Sequence, residues 1–60
     1  SRAVELARRS FGQRRKMLRR SLAEVVPAEA FRRAGISPSA RPERLAPMDF
    51  VRLAEEVGDV

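Results

Sequence analysis

The chain lacks cysteine and histidine altogether, and it has neither tryptophan nor tyrosine. Without cysteine no disulfide can form, and without both residues the usual zinc sites have no ligands. The same absence removes the most common general base and the thiol nucleophile of enzymes. The three glycines stand far apart, so neither of the glycine-rich loops that bind nucleotides is present. We therefore expect no catalytic, cofactor-binding or metal-binding residue in this segment.

Long apolar runs are also missing. No stretch of about eighteen apolar residues occurs, so we expect no membrane span, and no secretory leader is visible. A chain without cysteine is compatible with the cytoplasm, and we expect that location. Sixty residues form one domain, 1–60, near the lower size limit for a self-supporting core. Because the chain starts at Ser1 and its first helix begins at once, we interpret it as a piece of a longer protein.

Positive charge is abundant but unevenly distributed. The net charge is +5, with eight cations and one acid in residues 1–20 but five cations and seven acids in residues 21–60. One end of the molecule therefore favours a polyanionic partner, while the other has an ordinary solvated exterior. Twelve of the thirteen cations are arginine. That choice suits phosphate recognition, and it fits equally well a genome rich in G and C.

The spacing of apolar residues predicts an all-α fold, a small bundle of three to four short helices. We place the helices at residues 2–11, 17–25, 28–34 and 47–57. The expected core positions are Val4, Ala7, Phe11, Leu18, Leu22, Val25, Phe31, Ala34, Phe50, Leu53, Ala54 and Val57.

Proline and glycine mark the helix ends. Pro27 and Pro47 are expected in the first turns of the last two helices, and Gly35 is expected to end the third in a left-handed conformation. Residues 36–46 are expected to form an ordered connector anchored by Ile36 and Leu45.

A straight helix through residues 2–25 would create a conflict of charge. Seen from Phe11, such a helix would point Arg14 and Arg15 toward the apolar stripe. Burying unpaired charge is very costly. We therefore predict a break between Gly12 and Met17, and glycine is the obvious place for it.

The cations next to this break are the candidate functional residues, and they lie between the apolar residues Phe11, Leu18 and Leu22. They are Arg14, Arg15, Lys16, Arg19 and Arg20. Guanidinium groups held on a folded surface can bond phosphate oxygens in bidentate fashion, so we predict an RNA-binding surface. Two other interpretations remain open, a charged interface with a missing domain and a solvated face without a partner.

Other residues have plainer interpretations. Arg8 and Arg9 are candidates to extend the basic cluster. The three phenylalanines have core spacing, which favours burial over base stacking. Arg41 and Glu43, on either side of Pro42, are expected to fix the connector.

Three segments together resemble a known family. They are Phe11-Gly-Gln-Arg-Arg-Lys-Met-Leu-Arg-Arg-Ser-Leu22, Ala34-Gly-Ile-Ser-Pro-Ser-Ala-Arg-Pro-Glu-Arg-Leu45 and Phe50-Val-Arg-Leu-Ala54. In this order and spacing they resemble the C-terminal domain of the bacterial ribosomal RNA adenine dimethyltransferases, the KsgA/RsmA family. One departure is Ala46, which stands where a serine or threonine would be expected to cap the last helix.

The resemblance implies more than spacing alone. Members of the family have an N-terminal Rossmann-like domain that binds S-adenosylmethionine and dimethylates two adjacent adenosines near the 3′ end of 16S ribosomal RNA. That domain and its cofactor site are absent from this chain, so no catalytic residue can be transferred. The C-terminal domain helps to engage the small ribosomal subunit. The Arg-Arg-Lys motif of the family corresponds to Arg14, Arg15 and Lys16.

The expected partners are small-subunit ribosomal RNA and the protein's own catalytic domain, and we expect a monomer. Two alternative functions stay open. The chain could be a structural module that packs on the catalytic domain without touching RNA, or a small helical DNA-binding domain. The acidic residues of the last helix, Asp49, Glu55 and Glu56, argue against the DNA-binding role because phosphates would repel them.

Overall fold

A computed structural model of the chain describes residues 1–58. It contains four α-helices and one short 3₁₀ turn, and no strand occurs within those residues. The elements are α1 (Arg2–Gly12), α2 (Leu18–Ser21), α3 (Ala28–Ala34), the 3₁₀ turn (Pro42–Arg44) and α4 (Pro47–Glu56). The prediction of a small all-α bundle is confirmed. In this part of the chain, no helix has the length and apolar character needed to cross a bilayer.

Helix α4 lies at the centre of the bundle, because α1 and α3 both pack against it. Its predicted inward residues Phe50, Leu53 and Ala54 are buried. Pro47 is its first residue, as expected. Ala46 has no side chain that can cap the helix, and the carboxylate of Asp49 accepts a hydrogen bond from the Ala46 N–H at 2.9 Å. An acid in the first turn thus supplies part of the missing cap.

Helix α1 begins at the Ser1 cap and ends at Gly12, so the predicted break is present. Of the three predicted core positions on this helix, Ala7 packs against the core, whereas the predictions for Val4 and Phe11 are wrong. Leu6 and Ser10 are fully buried, whereas Val4 is 52% exposed and Phe11 is 48% exposed. Serine can occupy the core here because its hydroxyl donates to the Ala7 carbonyl at 3.0 Å and needs no outside partner.

Helix α2 is shorter than the predicted 17–25. Regular α-helix ends at Ser21, and the chain continues through turns, with the Val26 N–H donating to the Leu22 carbonyl at 2.8 Å. Leu18 and Leu22 are completely buried, as predicted. The turns rotate the chain beyond Leu22, so Val26 enters the core while Val25 is only partly buried.

Helix α3 ends as the sequence predicts. Gly35 has a φ of 73°, a left-handed conformation, and the Ile36 N–H donates back to the Phe31 carbonyl at 3.0 Å. It covers residues 28–34, as predicted, and Pro27, which has an extended ψ of 157°, precedes the first turn instead of standing in it. Phe31 is buried at the centre of the core, and Ala34 packs at its edge.

The connector of residues 36–46 is ordered. Ile36 is buried and Leu45 is partly buried against the core, which confirms both predicted anchors. The connector also contains the 3₁₀ turn, in which Pro42 is completely buried, and neither feature was predicted from the sequence.

Candidate nucleic-acid interface

The break after α1 is a tight turn. The Lys16 N–H donates to the Gln13 carbonyl at 2.9 Å, so Arg14 and Arg15 occupy the two central positions of the turn. All four residues, Gln13 to Lys16, are exposed. The turn therefore resolves the conflict of charge that a continuous helix would create.

The residues that follow the turn, Leu18 and Arg19, are held in place by the burial of Leu18 in the core and by hydrogen bonds to the connector. Leu18 is completely buried, and its N–H donates to the Ala40 carbonyl of the connector at 2.8 Å. The next N–H, of Arg19, donates to the Pro38 carbonyl at 2.9 Å. These bonds occupy the first backbone donors of α2, which would otherwise be free to bind an anion. Anion binding at this place must therefore come from side chains.

The five predicted site residues lie in the turn after α1 and in α2, and we call them the basic ridge. They are Arg14, Arg15, Lys16, Arg19 and Arg20. Every one is exposed, and within residues 1–58 none has a carboxylate at salt-bridge distance. Their positive charge is thus not neutralised by the part of the protein that the structure describes.

Other arginines of the chain do have carboxylate partners. Arg32 and Arg33 both reach Glu29, at 3.5 and 3.3 Å, and Arg52 reaches Asp49 at 3.7 Å. Such exposed pairs stabilise the fold only slightly. Four of the described acids, Glu5, Glu24, Glu29 and Asp49, thus lie beside cations outside the ridge.

The predicted extension of the ridge along α1 is only half supported. Arg9 lies 3.8 Å from both Glu5 and Glu24, so its charge is largely balanced. Arg8 is exposed, and among the described residues no acid lies at salt-bridge distance from it. Of the two, Arg8 is therefore the better candidate for contact with an anion.

Two cations that were not predicted as site residues, Arg41 and Arg44, line a recess near the ridge. The recess is shallow, has a volume of about 650 Å³ and lies between α2 and the connector. Its lining residues are Met17, Ser37, Ser39, Ala40, Arg41, Glu43 and Arg44.

Arg41 and Arg44 are exposed, and neither has a carboxylate partner among the described residues. Arg41 and Glu43 form no salt bridge with each other, and the buried ring of Pro42 between them is what anchors this turn. The backbone bonds from Leu18 and Arg19 bring the connector here, and no local sequence signal predicts them.

Within residues 1–58, no group of His, Cys, Asp and Glu is arranged to hold a metal ion. The candidate interface thus consists of cations, hydroxyl groups, the half-exposed ring of Phe11 and one acid, Glu43. Because the cations outnumber this acid, the surface suits binding of a polyanion.

The fold and the ridge define a class, a small helical module with one unneutralised basic surface. Comparison with known proteins gives the family. The chain is 49% identical over 51 residues to "Ribosomal RNA small subunit methyltransferase A" of Bifidobacterium adolescentis, a match over 85% of this chain and 17% of that protein. The protein of the same name from Xanthomonas campestris is 47% identical over 53 residues, covering 88% of this chain and 20% of the relative. The one from Hahella chejuensis is 41% identical over 54 residues, covering 90% of this chain and 20% of that relative.

These matches fall in the C-terminal part of the relatives. The chain is thus identified as homologous to the C-terminal region of the ribosomal RNA small subunit methyltransferase A family, as the sequence motifs predicted. It spans no more than a fifth of the length of these relatives. No family model matches the chain. No solved structure matches it either.

Proposed function

We propose that the chain is the RNA-docking module of a longer ribosomal RNA methyltransferase, and that the basic ridge grips the phosphate backbone of small-subunit ribosomal RNA. The exposed, unneutralised ridge carries this proposal. Exposed cations without acidic partners are available to phosphates, and a tight turn with buried neighbours keeps them in one place. Arg41 and Arg44 would extend the same surface along the connector.

The proposed activity of the longer protein comes from its relatives, whose name describes a methyltransferase acting on ribosomal RNA. The family resemblance refines it to dimethylation of two adjacent adenosines near the 3′ end of 16S ribosomal RNA. S-adenosylmethionine would bind in the part of the protein outside this chain. The role of this module would then be to bind and orient the ribosomal particle. Its expected cytoplasmic location stays a prediction.

Measuring RNA binding at several salt concentrations tests the docking role. Each phosphate that the ridge neutralises releases counterions, so the logarithm of the association constant should fall with the logarithm of salt by about 0.7 to 0.9 per contact. Five contacts predict a total slope of about −4. Fluorescence anisotropy with a labelled ribosomal RNA fragment gives this slope, and a slope near zero would exclude docking by the ridge.

A second surface suits the catalytic domain. Val4, Met48 and Val51 are exposed, and an open groove of about 280 Å³ between α1 and α4 is lined by Ser1, Ala3, Val4, Ala7, Pro47, Phe50 and Val51. We call the three exposed side chains and this groove the apolar face. Some four-fifths of each relative lies outside the matched region, which is the C-terminal part of the relatives. The preceding domain is therefore the partner that we propose for this face.

A double substitution tests that contact. Val4→Glu with Val51→Glu should change the melting temperature of this chain little, because surface substitutions usually shift stability by about 0.5 kcal/mol or less. In the longer protein the same change would place two carboxylates in an apolar interface. We therefore expect calorimetry to show loss of coupled unfolding only in the longer protein. Equal effects in both would argue that the apolar face has no intramolecular partner.

A further inference from the structure

Phe11 differs from the other two phenylalanines of the chain. Phe31 and Phe50 are buried, whereas Phe11, at the end of α1, leaves 48% of its surface exposed. Its ring packs against that of Phe50, with the centroids 6.2 Å apart and the planes inclined by 45°. Because Phe50 is fixed in the core, the Phe11 ring is supported on one side and open on another.

Phe11 lines an open recess of about 410 Å³, which lies within the range of about 300–1,000 Å³ typical of small-molecule sites. The lining residues are Phe11, Gly12, Gln13, Arg14, Arg15 and Lys16. A side chain at Gly12 would meet nothing within 4 Å, so the space beside the backbone is empty. Three cations of the basic ridge thus line the same recess as the half-exposed Phe11.

We propose that this recess receives an unpaired nucleobase of the bound RNA, which stacks on Phe11 while the adjoining phosphates contact Arg14, Arg15 and Lys16. The inference rests on the proposed docking function and adds a base contact to it. Unstacked bases in RNA loops bind to aromatic side chains in this way, and nearby guanidinium groups bind the backbone. The fixed position of Phe11 limits the entropy lost on stacking.

The charges favour RNA over a protein as the occupant of the recess. A protein that covered Phe11 would also cover the three cations, for which the described residues supply no carboxylate. Burying such charges without partners is unfavourable. Each nucleotide of RNA carries both a base that can cover Phe11 and a phosphate that can pair with a neighbouring cation.

Two variants test the stacking contact. Phe11→Leu keeps an apolar side chain but removes the aromatic ring. Phe11→Trp keeps the ring and introduces a fluorophore into a chain that has no other tryptophan and no tyrosine. The probes are a short single-stranded ribosomal RNA fragment and an abasic strand of equal length and charge. Circular dichroism of each variant verifies that it folds.

We expect Phe11→Leu to bind the base-bearing strand at least about fivefold more weakly. Its affinity for the abasic strand and its salt slope should not change, because the phosphate contacts remain. The fluorescence of the Phe11→Trp chain should be quenched by the base-bearing strand and not by the abasic one. Val51→Trp, on the apolar face, is the matched control and should respond to neither.

Equal affinity of wild type and Phe11→Leu for the base-bearing strand, with no quenching at position 11, would overturn the stacking proposal. A steep salt slope in the same experiment would leave the docking function standing. If instead wild type binds neither strand in a salt-dependent way, the docking function fails and the stacking proposal falls with it. Burial of the residue 11 tryptophan by the longer protein, seen as emission that RNA does not alter, would mean that a protein domain occupies the recess, and this too would refute stacking.

Discussion

Replacing Arg14, Arg15 and Lys16 by glutamate is expected to weaken RNA binding by about a hundredfold or more, because three charge-assisted contacts are lost and each becomes repulsive. The three residues are exposed, and no acid in residues 1–58 depends on them for charge balance. The fold should therefore tolerate the change, with little shift in melting temperature. Anisotropy titrations and thermal unfolding of the same samples measure both effects.

The matched control reverses three other arginines, Arg32, Arg33 and Arg52, which already lie beside Glu29 or Asp49. The total change in charge is the same, so a non-specific effect of net charge would weaken both variants alike. The ridge variant should lose far more affinity, and its salt slope should fall by about one unit for each phosphate contact removed.

The same pair of variants separates docking from a purely structural role. If the ridge packs against the catalytic domain and never meets RNA, reversal should lower the melting temperature of the longer protein more than its affinity for the small subunit. Affinity for S-adenosylmethionine should be unchanged under the docking hypothesis, because we propose that this cofactor binds outside this chain. Unchanged binding to the small subunit would count decisively against docking.

Leu53→Ala is the second change with a large expected effect, and it should leave most of the chain unfolded at room temperature. Leu53 is completely buried on α4, the helix against which α1 and α3 pack. Truncation of such a leucine costs about 2–5 kcal/mol, while a core of this size rarely supplies more than about 3–5 kcal/mol. Loss of the helical circular dichroism signal, with its urea dependence, measures the effect. Val51→Ala, on the exposed side of the same helix, is the control and should remain folded.

The Leu53→Ala variant also tests whether the ridge must be rigid, because the substitution unfolds the chain at a site far from the cations. Leu53→Ala removes no cation, so a loose charged tail would keep its affinity for RNA. If the tight turn at Gln13–Lys16 is needed to present the side chains, affinity should fall together with helicity. Undiminished RNA binding by the unfolded variant would show that charge alone suffices.

Local sequence signals predicted the parts of the fold that depend on neighbouring residues. Gly35 adopts the expected left-handed conformation because its amide and the next one must reach carbonyls at the end of α3. Phe50 and Leu53 are buried as their spacing on α4 indicates, since their face is clearly apolar. The exposed cluster of cations followed from the same reasoning, because charge without a partner cannot enter the core.

The errors concentrate where local patterns are ambiguous. On α1 the small residues Ala3, Ala7 and Ser10 allow a close helix contact, and the buried face turns away from the larger Val4 and Phe11. Size and hydropathy alone favour the larger side chains. The break at Gly12 was predicted correctly. Two residues of the apolar stripe from which it was argued, Val4 and Phe11, are nevertheless exposed.

By itself, the sequence determined the all-α class, the core of the last helix, the position of the basic ridge and the family, because each follows from residues close together or from ordered motifs. Only the tertiary structure decided which face of α1 is buried, that Arg41 and Arg44 line a recess with Met17, and that Phe11 stays half exposed. These features arise where distant segments meet, as when the connector carbonyls receive the first amides of α2. Packing determines which of these contacts form, whereas helical periodicity describes a single helix and cannot predict them.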